Sequence, residues 1–239
     1  MRKRNIAIIF AGGVGIRMNN TDLPKQFLTL RGKPVIIHTL EHFERHQSIT
    51  DIIVVCLDGW QEKLTLMLQE YNISKVKTIV TGGKNTQESI YHGLCEAEKL
   101  VLEEDAVVLI HDGVRPLINE QTITDNIESV RKYGTCITCA PPTETIVMKS
   151  ETGVDIPRRK DLLVARAPQS FYLSDILAAH RKAIADVNTD FIDCCEMMHH
   201  YGHSLNMVMG PSENLKITTQ ADFYMCEALM KMKQNENGE

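Results

Sequence analysis

The stretch Ile6-Ala7-Ile8-Ile9-Phe10-Ala11-Gly12-Gly13-Val14-Gly15-Ile16-Arg17-Met18 decides the fold. Its first five residues form a continuous apolar run, the pattern of a strand covered on both faces. Three glycines within four positions follow almost at once. In an open α/β sheet, ligands bind beyond the carboxyl ends of the strands. Glycines there let backbone N–H groups approach a phosphate without a Cβ in the way, although they also suit a tight strand-to-helix connection. Two common phosphate motifs do not fit. A dinucleotide fingerprint needs glycine where Met18 stands, and neither this loop nor Gly82-Gly83-Lys84 continues as a P-loop. Arg17 and then Leu23-Pro24-Lys25-Gln26-Phe27 come next. Pro24 holds the chain extended and presents Lys25 near the glycines. Alone, Lys25 reads as surface charge; beside that loop it reads as a phosphate contact.

Outward from this loop, residues 51–57, 76–80 and 106–110 read as further buried strands. Between them Ile36, Leu40 and Phe43, then Leu64, Leu68 and Tyr71, then Ile90, Leu94, Ala97 and Val101 fall at helical spacing. That alternation calls for a mostly parallel, doubly covered sheet with right-handed crossovers. Residues 136–158 break the pattern with turn residues such as Pro141-Pro142 and Thr152-Gly153, and read as a β-arm leaving the main sheet. Helices are expected at 173–185, 190–201 and 220–232, a strand at 205–209, and a frayed polar tail over 234–239.

The chain of 239 residues suits one large α/β domain spanning 1–239. No apolar run approaches the roughly 20 residues needed to span a bilayer, and the basic start runs into glycines rather than a cleavage site. The chain therefore reads as cytoplasmic. Its seven cysteines imply no disulfide framework. A net charge of −5 speaks against nonspecific nucleic-acid binding. An anionic ligand must instead be met by a few cations gathered in space.

Gly-Gly-x-Gly-x-Arg-Met followed by Pro-Lys resembles the nucleotidyltransferases that join a nucleoside monophosphate to a phosphorylated sugar or alcohol. The wider pattern is similar to the cytidylyltransferases of polyol phosphates. These include the 2-C-methyl-D-erythritol 4-phosphate enzyme of isoprenoid synthesis and the D-ribitol 5-phosphate enzyme of teichoic-acid and capsule synthesis. The matching pieces span nearly the whole chain: Phe10-Ala11-Gly12-Gly13, Leu23-Pro24-Lys25-Gln26-Phe27-Leu28, Gly82-Gly83 with Ser89, His111-Asp112-Gly113-Val114-Arg115-Pro116, Glu144-Thr145, Arg159, Pro168-Gln169-Ser170-Phe171 and Asn214-Leu215-Lys216-Ile217-Thr218. Leu23 before Pro-Lys and Val114 before Arg-Pro bring it closer to the ribitol-phosphate branch. Three departures stand out: Ile16 in place of the threonine of sugar-1-phosphate enzymes, Ala167 in place of the threonine before Pro-Gln, and Ile192 before Asp193.

The resemblance implies a Rossmann-like, three-layer α/β/α nucleotidyltransferase fold with a mixed sheet, and a homodimer paired through the β-arm. It implies in-line attack by the acceptor phosphate on the α-phosphorus of CTP, with Mg²⁺ as the divalent cation. Arg17, Lys25 and Lys216 would surround the triphosphate. Ala11, Gly12, Gly13, Gly15, Gly82 and Ser89 would hold the nucleotide. Arg115, Thr145 and Arg159 would bind the acceptor phosphate, with the arm carrying Thr145 into the partner's site. Asp112, at a strand end, suits either ribose hydroxyls or Mg²⁺. A non-catalytic nucleotide-binding protein, or an enzyme using another nucleotide, are the rivals. Cys195, His199 and His203 share a helical face, but Gly202 ends the helix before the third, and zinc is not expected there. Cys136 and Cys139 lie three apart in a strand-like run, so they point to opposite faces.

Overall fold

A computed structural model describes residues 4–13, 23–101, 105–188 and 190–236. The first strand, β1 (Asn5–Ala11), is an interior strand of a seven-stranded sheet. Short strands β2 (Thr29–Leu30) and β3 (Lys33–Pro34) lead into helix α1 (Val35–Arg45). Then come β4 (Asp51–Cys56), α2 (Gln61–Glu70), β5 (Val76–Thr81), α3 (Thr86–Leu100), β6 (Val107–Asp112), α4 (Glu120–Tyr133) and β7 (Thr135–Ala140). A hairpin of β8 (Met148–Ser150) and β9 (Gly153–Asp155) precedes the long β10 (Val164–Tyr172). Helices α5 (Leu173–Ala185) and α6 (Cys194–His200), strand β11 (Met207–Met209) and helix α7 (Gln220–Glu236) close the chain.

The sheet order is β11-β7-β10-β6-β1-β4-β5, and β10 alone runs antiparallel to its neighbours. The residues of β1 alternate between two cores. Ala7, Ile9 and Ala11 pack with α1, α2 and α4, while Ile6 and Ile8 pack with α3, α5 and α6. This double covering is why its sequence is apolar without interruption. From β1 the chain first builds outward through β4 and β5, then returns to add β6 on the other side. The reversal leaves a crevice at the carboxyl ends of β1 and β6, where open α/β sheets bind ligands.

Several expectations are corrected. The arm does not begin at residue 136: Thr135–Ala140 is a fully buried strand of the main sheet, paired on both sides. Only the stretch after Ala140 leaves the sheet. Helix α6 starts at Cys194 rather than 190, because the Asp193 side chain accepts from Glu196 N at 2.9 Å and caps it. Helix α7 runs on to Glu236, so the expected frayed tail is helical over its first part. Cys136 and Cys139 fall in opposite cores.

Helix α3 lies close on the sheet because Gly93 lets it. A Cβ there would come within 2.7 Å of Ile8 Cγ2 and 2.9 Å of Val55 Cγ2. Gly93→Ala is therefore expected to destabilise the fold in urea unfolding. The overpacking cost of about 1–3 kcal/mol exceeds the gain of about 1 kcal/mol in helix propensity. A more stable variant would contradict this close approach.

Candidate active site

Two glycine edges meet at the carboxyl end of the sheet. A Cβ on Gly12 would lie 3.6 Å from Ser89 Oγ and 3.9 Å from Gly82 Cα. The loops after β1 and β5 are thus apposed, with Ser89 packed against both glycines. Ser89 holds the second loop: its hydroxyl accepts from Gly83 N at 2.9 Å and donates to Asn85 O at 2.8 Å. Asn85 caps α3 by accepting from Glu88 N at 2.8 Å.

Lys25 is fixed beside this edge by its neighbours. Gln26 is buried and donates to Ala11 O at 2.6 Å, tying the turn Lys25–Phe27 to the end of β1. Phe27 stacks on Trp60 with ring centroids 4.7 Å apart. A Cβ on Gly13 would lie 3.8 Å from Lys25 Cε. The lysine stem therefore runs alongside the glycine loop, as its sequence position suggests. Gly15 and Arg17 lie outside the described residues.

The centre of the site is Asp112, the last residue of β6, beside Phe10 of β1. It is buried, yet it carries two cations. Its Oδ2 accepts from Arg115 Nε at 2.7 Å and its Oδ1 from Lys216 Nζ at 2.5 Å. Burial alone would raise the Asp112 pKa; the charges of Arg115 and then Lys216 outweigh it and hold the carboxyl at about 2. Lys216 belongs to a loop rather than a strand end. The loop is pinned by Ile217 N donating to Val114 O at 3.0 Å and by Asn214 Nδ2 donating to Ala167 O at 3.0 Å.

A cleft of about 210 Å³ opens over this cluster, lined among others by Phe10, Asp112, Arg115, Arg166, Asp193 and Lys216. Arg115, Lys216 and Asp112 are therefore gathered as expected. Thr145 and Arg159 are not: they touch each other at 3.4 Å, are exposed, and do not line the cleft. Arg166 and the pair Gln169–Asp193, joined at 2.8 Å, are additions that sequence reasoning did not place in the site. No cluster of three His, Cys, Asp or Glu side chains able to hold a metal occurs among the described residues. None of their helices is long and apolar enough to cross a membrane.

Two buried histidines give the fold a pH dependence. Burial pushes His111, behind Asp112, down to about 3 and His180, under α3, to about 4. The folded chain resists their protonation, while the unfolded chain takes up protons below about 6.5. Their contribution is present above that value and is lost as pH falls toward 4. Urea unfolding at pH 5.0 should show a loss of about 2 kcal/mol per ring against pH 7.5, and a flat profile would contradict their neutral burial. Asp112 acts at lower pH: its contribution is full above about 3.8 and is lost as pH falls through about 2.

A family model described as IspD: 2-C-methyl-D-erythritol 4-phosphate cytidylyltransferase matches residues 5–232. The ribitol-5-phosphate cytidylyltransferase of Vibrio parahaemolyticus serotype O3:K6 is 48% identical over 233 residues, covering 97% of this chain and 98% of that one. The 2-C-methyl-D-erythritol 4-phosphate cytidylyltransferase of Clostridium botulinum strain 657 is 37% identical, covering 95% of this chain and 98% of its own. Among solved structures, 4-diphosphocytidyl-2C-methyl-D-erythritol synthase from Anaerococcus prevotii superposes with a TM-score of 0.81 at 27% identity, covering 96% of each chain.

Proposed function

The chain belongs to the IspD family of cytidylyltransferases, and we propose that it transfers CMP from CTP to D-ribitol 5-phosphate, releasing pyrophosphate. The observation that carries the reaction is the buried Asp112 clamping Arg115 and Lys216 beside two glycine edges. The choice of acceptor rests on the greater identity to the ribitol-phosphate relative, 48% against 37%.

In this reading an oxygen of the acceptor phosphate attacks the α-phosphorus. The new P–O bond forms as the bond to the bridging oxygen breaks, and pyrophosphate leaves with that electron pair. The attacking phosphate is already ionised at neutral pH, so no side chain must remove a proton. Catalysis is positioning and charge neutralisation. The cleft is suited to that and not to covalent catalysis: its one thiol, Cys194, is pushed by burial far toward the neutral form. Lys25 and Lys216 approach the triphosphate from two sides, and Gly12, Gly82 and Ser89 shape the nucleotide edge. Arg17 would join them from the same loop. Mg²⁺ would neutralise phosphate charge when bound, and Asp112, a carboxylate lining the cleft, would be the residue able to hold it. Retention of Lys25 and Lys216 together favours an enzyme over a non-catalytic nucleotide binder.

Pyrophosphate release with each of four nucleoside triphosphates and Mg²⁺, against ribitol 5-phosphate and methylerythritol 4-phosphate, tests the reading. Turnover with CTP and ribitol 5-phosphate alone is expected. Turnover only with methylerythritol 4-phosphate would move the chain to the other branch, and no turnover with either would sink the substrate class.

The arm is read as a dimerisation element. Its hairpin and flanks expose Val147, Met148, Val154 and Ile156 to solvent, and an isolated two-stranded hairpin has little stability of its own. In a homodimer it would carry Thr145 and Arg159 into the partner's cleft. Mixing Lys216→Ala with Arg159→Ala protomers should then restore about a quarter of wild-type activity, because each heterodimer holds one intact site. A mixture no more active than its parents would contradict a shared site.

A further inference from the structure

The order of the strands lays the site out along the sheet edge. Gly82 follows β5, Gly12 follows β1, Asp112 ends β6, and β10 lies beyond β6. With the nucleotide at the β5–β1 end, the acceptor must approach from β10. There the strand is irregular. Ala165 pairs with Cys139 and Gln169 with Ile137, so the segment 166–168 carries two more residues than its partner strand. Such bulges re-aim side chains and recur beside active sites. The side chain at the start of this one is Arg166.

Arg166 lines the cleft together with Arg115 and Lys216. Among the described residues its NH1 donates to Asn214 O at 3.3 Å, while its buried Nε has no partner. No carboxylate pairs with it among the described residues: Asp112 is taken up by Arg115 and Lys216, and Asp193 by Gln169 and the start of α6. Burial and then the nearby Arg115 charge weaken its hold on its proton. A half-buried guanidinium that lines a cleft, has no carboxylate partner among the described residues and is repelled by Arg115 calls for an anion.

We propose that Arg166 binds the phosphate of the acceptor from within the same subunit, a role supplied by the β10 bulge and separate from that of Arg159 on the arm. The inference rests on the cytidylyltransferase reading. It makes Arg166 a further cation on the acceptor phosphate, beside Arg115, while the nucleotide is held elsewhere.

Steady-state kinetics of Arg166→Gln and Arg166→Lys decide the matter. Arg166→Gln should raise the KM for ribitol 5-phosphate roughly 10- to 100-fold, the worth of a charge-assisted hydrogen bond. The KM for CTP should stay within twofold, and Arg166→Lys should recover part of the loss. A rise in the CTP KM instead would place Arg166 on the triphosphate. A lowered kcat and Tm with unchanged acceptor KM would make it only a brace for the Asn214 loop. Either result overturns the proposal. Calorimetric titration with inorganic phosphate separates this from the wider reading. If no polyol phosphate is turned over, wild type binding phosphate more tightly than Arg166→Gln still supports an anion site here, and equal binding refutes it.

Discussion

Lys216→Ala is expected to lower kcat by a factor on the order of a hundred to a thousand while leaving the fold intact. The lysine Nζ sits 2.5 Å from Asp112 Oδ1 at the carboxyl edge of β6, yet its side chain remains 41% exposed. It is thus aimed by the carboxylate and free to turn its remaining protons toward a phosphate. Removing it takes away charge stabilisation at the moment the α-phosphorus gains a fifth oxygen. Asp112 would still be paired with Arg115, so the carboxylate is not stranded. The loop would still be held by Ile217 and Asn214, and the carboxylate keeps one of its two cations. Tm should therefore shift little. A kcat within fivefold of wild type, at normal Tm, would remove Lys216 from the catalytic set.

Lys25→Ala should cost on the order of a hundredfold in kcat by the same reasoning, applied from the nucleotide side. Its position is rigid where that of Lys216 is adjustable, because the turn that carries it is bonded to Ala11 O through Gln26 and packed through Phe27 on Trp60. Its charge also reaches Asp222 at the start of α7. That carboxyl is held low, against the effect of burial, by hydrogen bonds from Thr219 and Thr218 and more weakly by Lys25. Gln26→Ala is a useful companion variant. It leaves every charge in place but unties the turn, so kcat should fall by a smaller factor and Tm should drop. A near-normal rate for Lys25→Ala would take it off the catalytic list.

The parts of the molecule legible in sequence are those whose signal is local. The strand at residues 6–10 announces itself because both its faces are covered, and the glycine loop because three glycines in four positions follow it directly. Lys25 was readable from Pro24 before it. What was not legible depends on distant pairing. Residues 135–140 look like part of an arm until β10 and β11 flank them, since six residues carry no record of their neighbours. Arg166 was invisible for the same reason. Its importance comes from a bulge defined against β7, and an arginine two residues before Pro168 has no local mark of a ligand. Arg115 illustrates a third case. It was expected on the acceptor phosphate, and the structure finds it first bonded to Asp112 and Asn214 O. It can still face the cleft, but its first task is to hold the carboxylate that aims Lys216.

The chemistry at the α-phosphorus is tested most directly by isotope transfer. Incubation of the protein with ribitol 5-phosphate, Mg²⁺ and CTP labelled at the α- or the γ-phosphate distinguishes the possible bond cleavages. The account predicts that α-label enters a phosphatase-resistant nucleotide–polyol diphosphate and that γ-label appears only in pyrophosphate. Gamma-label in the polyol product, or α-label recovered only as free CMP, would contradict it.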